Sequence, residues 1–246
     1  MRRVIIVQAR MTSTRLPGKV LMDVAGQPML AQQLRRLKQC TLVDDIVVAT
    51  TTNTTDDPVA VLAYREQVGC FRGSEQDVLA RYVGAAREAK ADVVIRVTAD
   101  CPLIDSQVTD RVIAELTDHA MECDYASNVL RRTYPRGLDV EAFFWDTLVR
   151  MERLAQSSKA REHVTVFLRS ERPELFLCRS VEDVKNNADL RWTVDNAADL
   201  ALVCTLYQAL DLAGRPLSYR EVLAHVRNHP ELATINSGLD TWEPSR

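Results

Sequence analysis

Glycine is scarce in this chain, with eight in 246 residues, and no two of them flank a single residue. Without a G-x-G there is no dinucleotide fingerprint, and the paired glycines and closing Lys-Ser/Thr of a Walker loop are missing too. The six cysteines (Cys40, Cys70, Cys101, Cys123, Cys178 and Cys204) lie far apart with no C-x-x-C. That spacing argues against a zinc site or redox pair and leaves reduced, mostly buried small hydrophobes. No apolar run approaches a membrane span, and Met1-Arg2-Arg3 is followed by only four strongly apolar residues, too few for a signal peptide. The expected location is the cytoplasm. A charge excess is lacking as well: 31 Lys plus Arg face 34 Asp plus Glu, a net charge of −3. No global field therefore favours nucleic acid, and any basic site must be local. There is no linker-like stretch, internal repeat or low-complexity tract, and the length suffices for a substantial α/β core.

What is present begins with Val4-Ile5-Ile6-Val7, a β-branched run that breaks into Gln8-Ala9-Arg10-Met11-Thr12-Ser13-Thr14-Arg15-Leu16-Pro17-Gly18-Lys19. This reads as a buried strand emptying into a site at its C-terminal end. Arg10, Arg15 and Lys19 supply fixed cations, the hydroxyl residues supply donors, and Pro17-Gly18 forces a turn that bares backbone N–H groups. The combination suits a polyphosphate held by side-chain charge; the alternative is a solvated cationic loop.

Downstream, Gly26-Gln27-Pro28 reads as a turn and Met29 to Cys40 as a helix with Leu30, Leu34 and Leu37 on one face. Asp45 to Thr50 is the second strand, parallel to the first. A helix from Asp56-Asp57-Pro58 to about Val68, a short strand at Cys70 to Arg72 and a helix after Gly73-Ser74-Glu75-Gln76-Asp77 follow. Asp92 to Thr98 is the clearest buried strand, and Asp105 to His119 a helix. The next stretch reads as a loop and a strand with alternating Leu138, Val140 and Ala142. Helices over 145–155 and 161–168, a strand over 175–179 and helices over 197–213 and 218–226 complete the pattern, with an irregular tail from Asn228. Trp145, Trp192 and Trp242 read as packing residues.

Strands alternating with helices imply a mainly parallel sheet covered on both faces, with ligands beyond the C-terminal strand ends. The cationic loop, Asp100 and Asp195 all have that address. Two carboxylates beside a triphosphate suit Mg²⁺, which fills its octahedron with phosphate oxygens and water. Pro102 keeps a helix from starting directly after Asp100, which favours a ligand role there. Asp195 is either a metal ligand or the cap of the next helix. Asp139 and Glu141 fall on one strand face, either binding a polar acceptor or facing solvent, and His163 is either an acceptor contact or a packed histidine.

The strings QARMTSTRLPGK, FRGSEQDVLARY, RVTADCPLID, DYASN, RTYPRGLDVEAF, REHVT and RWTVDNAADL together resemble the spore coat polysaccharide biosynthesis protein F family. That family is similar to the CMP-sugar synthetases, the 3-deoxy-manno-octulosonate and acylneuraminate cytidylyltransferases. The resemblance runs from about residue 3 to about residue 213. It implies a Rossmann-like nucleotidyltransferase fold of the glycosyltransferase-A type, three layers around a mainly parallel mixed sheet, with residues 1–213 as the nucleotidyltransferase domain. Residues 214–246 would add a helix and irregular tail to the same domain.

The resemblance also implies Mg²⁺-dependent transfer of CMP from CTP to an acidic sugar or phosphorylated acceptor, with release of pyrophosphate, in surface polysaccharide biosynthesis. Arg10, Ser13, Arg15 and Lys19 match the triphosphate loop, and Asp100 and Asp195 the metal carboxylates. Gln8, Ala9 and Arg10 lie where the base is held, and Gly73, Ser74 and Arg81 where further nucleotide contacts fall. Tyr134, Arg136, Asp139, Glu141, Arg161 and His163 take the acceptor side. Gln8 stands where the synthetases usually carry proline, and Thr98-Ala99-Asp100 where they carry Gln-Gly-Asp or a similar string. CTP is therefore inferred from the resemblance. The expected partners are CTP and an acidic small molecule, without nucleic acid or membrane; a homodimer is compatible with the reading. The rivals are a glycosyltransferase of the same fold and a non-catalytic nucleotide-binding subunit.

Overall fold

A computed structural model describes residues 1–237. Strand β1 (Arg3–Gln8) opens the chain, and the cationic loop leads from it to a 3-10 turn at Lys19–Leu21. A hairpin of β2 (Asp23–Val24) and β3 (Gln27–Pro28) precedes α1 (Met29–Leu37). Then come β4 (Asp45–Thr51), α2 (Asp57–Arg65), β5 (Gly69–Gly73), α3 (Val78–Glu88), β6 (Val93–Thr98) and α4 (Ser106–Asp118). The second half runs β7 (Tyr125–Ser127), β8 (Glu141–Phe144), α5 (Trp145–Leu154), α6 (Ser158–His163) and β9 (Cys178–Ser180). It ends with α7 (Ala197–Ala209), α8 (Tyr219–Asn228) and α9 (Pro230–Thr234).

Seven strands form one sheet in the order β5-β4-β1-β6-β8-β7-β9. All pairings are parallel except those of β8, which is antiparallel to β6 and β7. A central strand with helices on both faces has no polar side, which is why Val4 to Val7 are all fully buried. Ile5 and Val7 pack with Leu30 and Leu34 of α1, Leu62 of α2 and Val112 of α4. Val4 and Ile6 face the opposite way, onto Leu79 and Tyr82 of α3 and Leu148 of α5. This is the three-layer, mainly parallel α/β architecture expected from the sequence. A third cluster joins Trp192, Tyr134 and Leu138 to α7, α8 and Leu232 of α9. Arg36 donates to the Leu217 carbonyl at 2.9 Å, Tyr219 N–H to Asp105 at 2.6 Å, and Arg227 pairs with Asp189 at 2.7 Å.

Several local expectations change. Gln27–Pro28 pairs with β2 and is not a plain turn, and β8 starts at Glu141, leaving Leu138 and Val140 before the strand. The helix expected over 161–168 breaks after His163. Val164 adopts φ 52, ψ −69, and Thr165 N–H donates to the His163 carbonyl at 2.6 Å, a strained γ-turn followed by a π-helical turn at Phe167–Glu171. The β-branched run Val164-Thr165-Val166 is a poor helix former, and Val164 is fully buried. Helix α7 stops at Ala209, short of the expected Ala213, with Asp211 at φ 48. The tail from Asn228 includes α9; Gly238, Trp242 and Pro244 lie outside the described residues. The six cysteines are free thiols, but only Cys101 and Cys123 are buried and Cys178 is exposed.

Candidate active site

The loop after β1 is tied down at both ends. Met11 N–H donates to the buried Asp56 carboxylate at 2.7 Å, and Asp56 is held by Thr51 at the end of β4. Gly18, at φ 73, donates its N–H to the Met11 carbonyl at 2.8 Å and closes the loop. Arg10 faces Glu75 at 3.6 Å, and Thr12 donates to Glu75 at 2.5 Å.

That closure aims Lys19 inward. Its ammonium lies 3.2 Å from Asp100, 3.1 Å from Asp195 and 2.6 Å from the Val194 carbonyl, so two aspartates 95 positions apart in sequence meet at one cation. Their backbones are joined as well, Val194 N–H donating to the Asp100 carbonyl at 2.8 Å. Arg15 reaches Asp195 at 2.8 Å and Arg191 reaches its other oxygen at 2.6 Å. Asn196, not Asp195, caps α7, accepting from the Ala198 and Asp199 amides, so the capping alternative for Asp195 is overturned. Burial opposes ionisation of Asp100, but the Lys19 ammonium and the hydroxyl of Thr98 outweigh it and hold its pKa below the usual value. Burial likewise opposes the Lys19 charge, and the two carboxylates override it to raise its pKa. Both partners are charged at neutral pH.

Two cavities meet here. The smaller, about 270 Å³, is walled by Ala9, Arg10, Ser13, Lys19 and Arg81; the larger, about 990 Å³, by Arg132, Arg136, Asp139, Glu141 and Arg169. Gln8, Arg15, Thr98, Asp100, His163 and Asp195 border both and form the seam between them. Gly73 and Ser74 stand behind the smaller cavity: the Ser74 carbonyl accepts from buried Arg81 at 2.6 Å, and a Cβ on Gly73 would lie 3.2 Å from the Arg81 side chain.

The larger cavity has seven Lys or Arg residues on its walls against four carboxylates, although the whole chain is net negative. Asp139 is held bidentate by Arg132 at 2.6 and 2.8 Å. Glu141 is buried rather than solvated, paired with Arg96 and accepting from Tyr125 and Thr165 at 2.6 Å each. Burial alone would raise its pKa; Arg96 and Arg169 reverse this and bring it to about 2. Burial pushes His163 below the usual histidine value, which makes it a neutral imidazole at pH 7.

Two expected acceptor residues stand elsewhere. Tyr134 is buried in the third cluster, packed on Tyr219 with its hydroxyl bonded to Arg111, because its ring completes that core. Arg161 turns away to clasp Asp77, the cap of α3. Conversely, Arg96, Arg132, Arg169 and Arg191 border the larger cavity without having been singled out. Arg96 left a signal, a lone charge inside the apolar run of β6; the others lie in loops and turns that carry no such signal.

This architecture places the chain among the nucleotidyltransferases. A solved cytidylyltransferase from Leptospira borgpetersenii superposes with a TM-score of 0.92 at 29% identity, covering 98% of this chain and all of that one. The CMP:2-keto-3-deoxy-manno-octonic acid synthetase solved in complex with CTP shares the fold, with a TM-score of 0.64 at 21% identity over 85% of this chain and 99% of that one. The chain belongs to the cytidylyltransferase family, whose profile matches residues 4–203. It is 32% identical to the spore coat polysaccharide biosynthesis protein SpsF of Bacillus subtilis, over 93% of this chain and 95% of the relative.

Proposed function

We propose that this nucleotidyltransferase transfers CMP from CTP to an acidic sugar or phosphorylated acceptor in polysaccharide biosynthesis, with Mg²⁺ and release of pyrophosphate. The observation that carries this reading is the convergence of Asp100 and Asp195 on Lys19 at the seam of two cavities. The polysaccharide role named for the Bacillus subtilis relative and the CTP bound in the fold neighbour support it.

In this reading the smaller cavity takes the nucleotide. Gln8 and Ala9 lie against the base, Arg10, Ser13 and Arg15 hold the triphosphate, and Arg81, fixed by Gly73-Ser74, adds a further contact. Among the described residues no group of three or more acidic, His or Cys side chains forms a complete metal site. Two hard carboxylates completed by phosphate oxygens are what Mg²⁺ takes, so Asp100 and Asp195 fit it. When bound there it would neutralise charge on the reacting phosphate. Lys19, whose ammonium sits at the same seam, supplies positive charge that stabilises the departing pyrophosphate. The larger cavity orients the acceptor through Arg136 and the cations around Glu141 and Asp139. One acceptor oxygen attacks the α-phosphorus in line, forming the new P–O bond as the bond to pyrophosphate breaks. Neutral His163 at the seam takes the proton of a hydroxyl acceptor.

The test is thermal melting with Mg²⁺ and each of four nucleoside triphosphates, followed by pyrophosphate release over a panel of acidic and phosphorylated sugars. CTP should raise the melting temperature most, since a ligand bound only to the folded state stabilises it by mass action. Equal shifts with all four would remove the base assignment, and no shift would remove the triphosphate site.

A further inference from the structure

Asp195 does not hold its position alone. The network behind it begins with Asp199, whose Oδ2 accepts from the Asp195 amide at 2.9 Å and the Asn196 amide at 3.3 Å. Arg191 bridges both carboxylates: it donates to Asp199 at 3.1 and 3.2 Å and to Asp195 Oδ2 at 2.6 Å. Asp199 thus fixes the Asp195 backbone directly and its side chain through Arg191. The far side of the network is closed by Asn236. Its side-chain amide donates to Asp199 Oδ1 at 2.9 Å and to the Arg191 carbonyl at 3.0 Å. Asn236 is buried, and it follows α9 at the end of the described chain, well beyond the residues matched by the family profile.

We propose that the C-terminal segment is a clamp on the reaction centre, with Asn236 a positioning residue that sets Asp195 through Asp199 and Arg191. Leu232 in the third cluster and the Arg227–Asp189 pair dock the segment independently of Asn236. Removing the Asn236 amide therefore frees the network without detaching the tail. A buried carboxylate left short of a donor draws on its remaining partners, and here those partners are the amides and guanidinium that aim Asp195. The inference about Asp195 as a substrate-side ligand rests on the nucleotidyl-transfer reading above; the clamp on its backbone does not.

Two measurements on the full-length protein test it, using Asn236→Ala and Asn236→Asp. The first is ligand-free hydrogen exchange at the Asp195 and Asn196 amides, which should be faster in Asn236→Ala. It should be faster still in Asn236→Asp, where a second carboxylate faces Asp199. A segment that is only an anchor for the tail would confine faster exchange to residues 229–237, and that result overturns the clamp. The second is the concentration of CTP with Mg²⁺ needed for half-maximal thermal stabilisation. It should rise up to roughly tenfold in Asn236→Ala, the low end of the cost of losing a direct partner of a metal ligand, because Asn236 acts one contact further out. A wild-type concentration in both variants overturns the positioning role. If the wild type itself gains no stability from CTP with Mg²⁺, the nucleotide reading fails while the exchange result still decides the clamp.

Discussion

Glu141 is where residue identity and environment are furthest apart. On one strand face with Asp139, it reads as a solvent-facing or acceptor carboxylate; in the fold both of its oxygens are occupied by Arg96, Tyr125 and Thr165. It pairs with Arg96 and Arg169, two of the cations that border the larger cavity. The folded pKa lies below the unfolded value of 4.5, at about 2. Its stabilising contribution is therefore complete above pH 4.5 and lost as pH falls toward 2. Glu141→Gln should cost about 3–5 kcal/mol at neutral pH, the usual penalty for a buried charge left without its partner. Denaturation midpoints across pH should show the gap between wild type and variant closing between pH 4.5 and 2, and a constant gap would count against this pairing. The sequence made the loop cations and Asp100 legible because each follows a recognisable strand; Asp195 reaches the same place from an irregular stretch, joined to the fold by the Arg136–Arg191 β-bridge and not by the strand its Trp-Thr-Val run suggests. The sequence did not reveal which carboxylates were already satisfied by arginines, since those partners lie across strands and loops: Arg96 is 45 positions from Glu141.

Among the elements, the loop before β8 and the segment before α7 form one latch. Arg136 N–H donates to the Leu190 carbonyl at 3.0 Å, and Trp192 N–H donates to the Arg136 carbonyl at 2.6 Å. Gly137 makes the approach possible: at φ 105, a Cβ there would lie 2.6 Å from the backbone of Trp192 and Thr193. Gly137→Ala should cost about 1–3 kcal/mol by overpacking, read as a lower urea midpoint, and should slow pyrophosphate release because the same latch carries Asp195. A midpoint equal to wild type would mean that the loop moves aside freely. The glycine and its loop were readable in RTYPRGLDVEAF, but the backbone it presses on, at Trp192 and Thr193, is more than 50 residues away and leaves no local trace. The γ-turn at Val164 was invisible for a related reason. Helical spacing through Phe167 and Leu168 masks the break, which the β-branched run Val164-Thr165-Val166 and the burial of Val164 in the second core cluster accompany.

For the molecule as a whole, the layer order and the parallel core were legible because strand and helix periods differ and the central strands are apolar on both faces. The large cationic cavity was not, since a chain of net charge −3 hides a local surplus of positive walls. That cavity and the smaller one share six residues at their seam. In the proposed reaction pyrophosphate leaves the smaller cavity, whereas the finished conjugate spans the seam with its nucleotide in one compartment and its acceptor part in the other. On that arrangement departure, not bond making, is expected to set the pace of the cycle. Rapid mixing should release a first burst of pyrophosphate equal to the enzyme present, followed by a slower linear phase; release that is linear from the outset would place the slow step at the chemistry. A burst would mean that the protein answers to its own output, slowing whenever the conjugate is not drawn away.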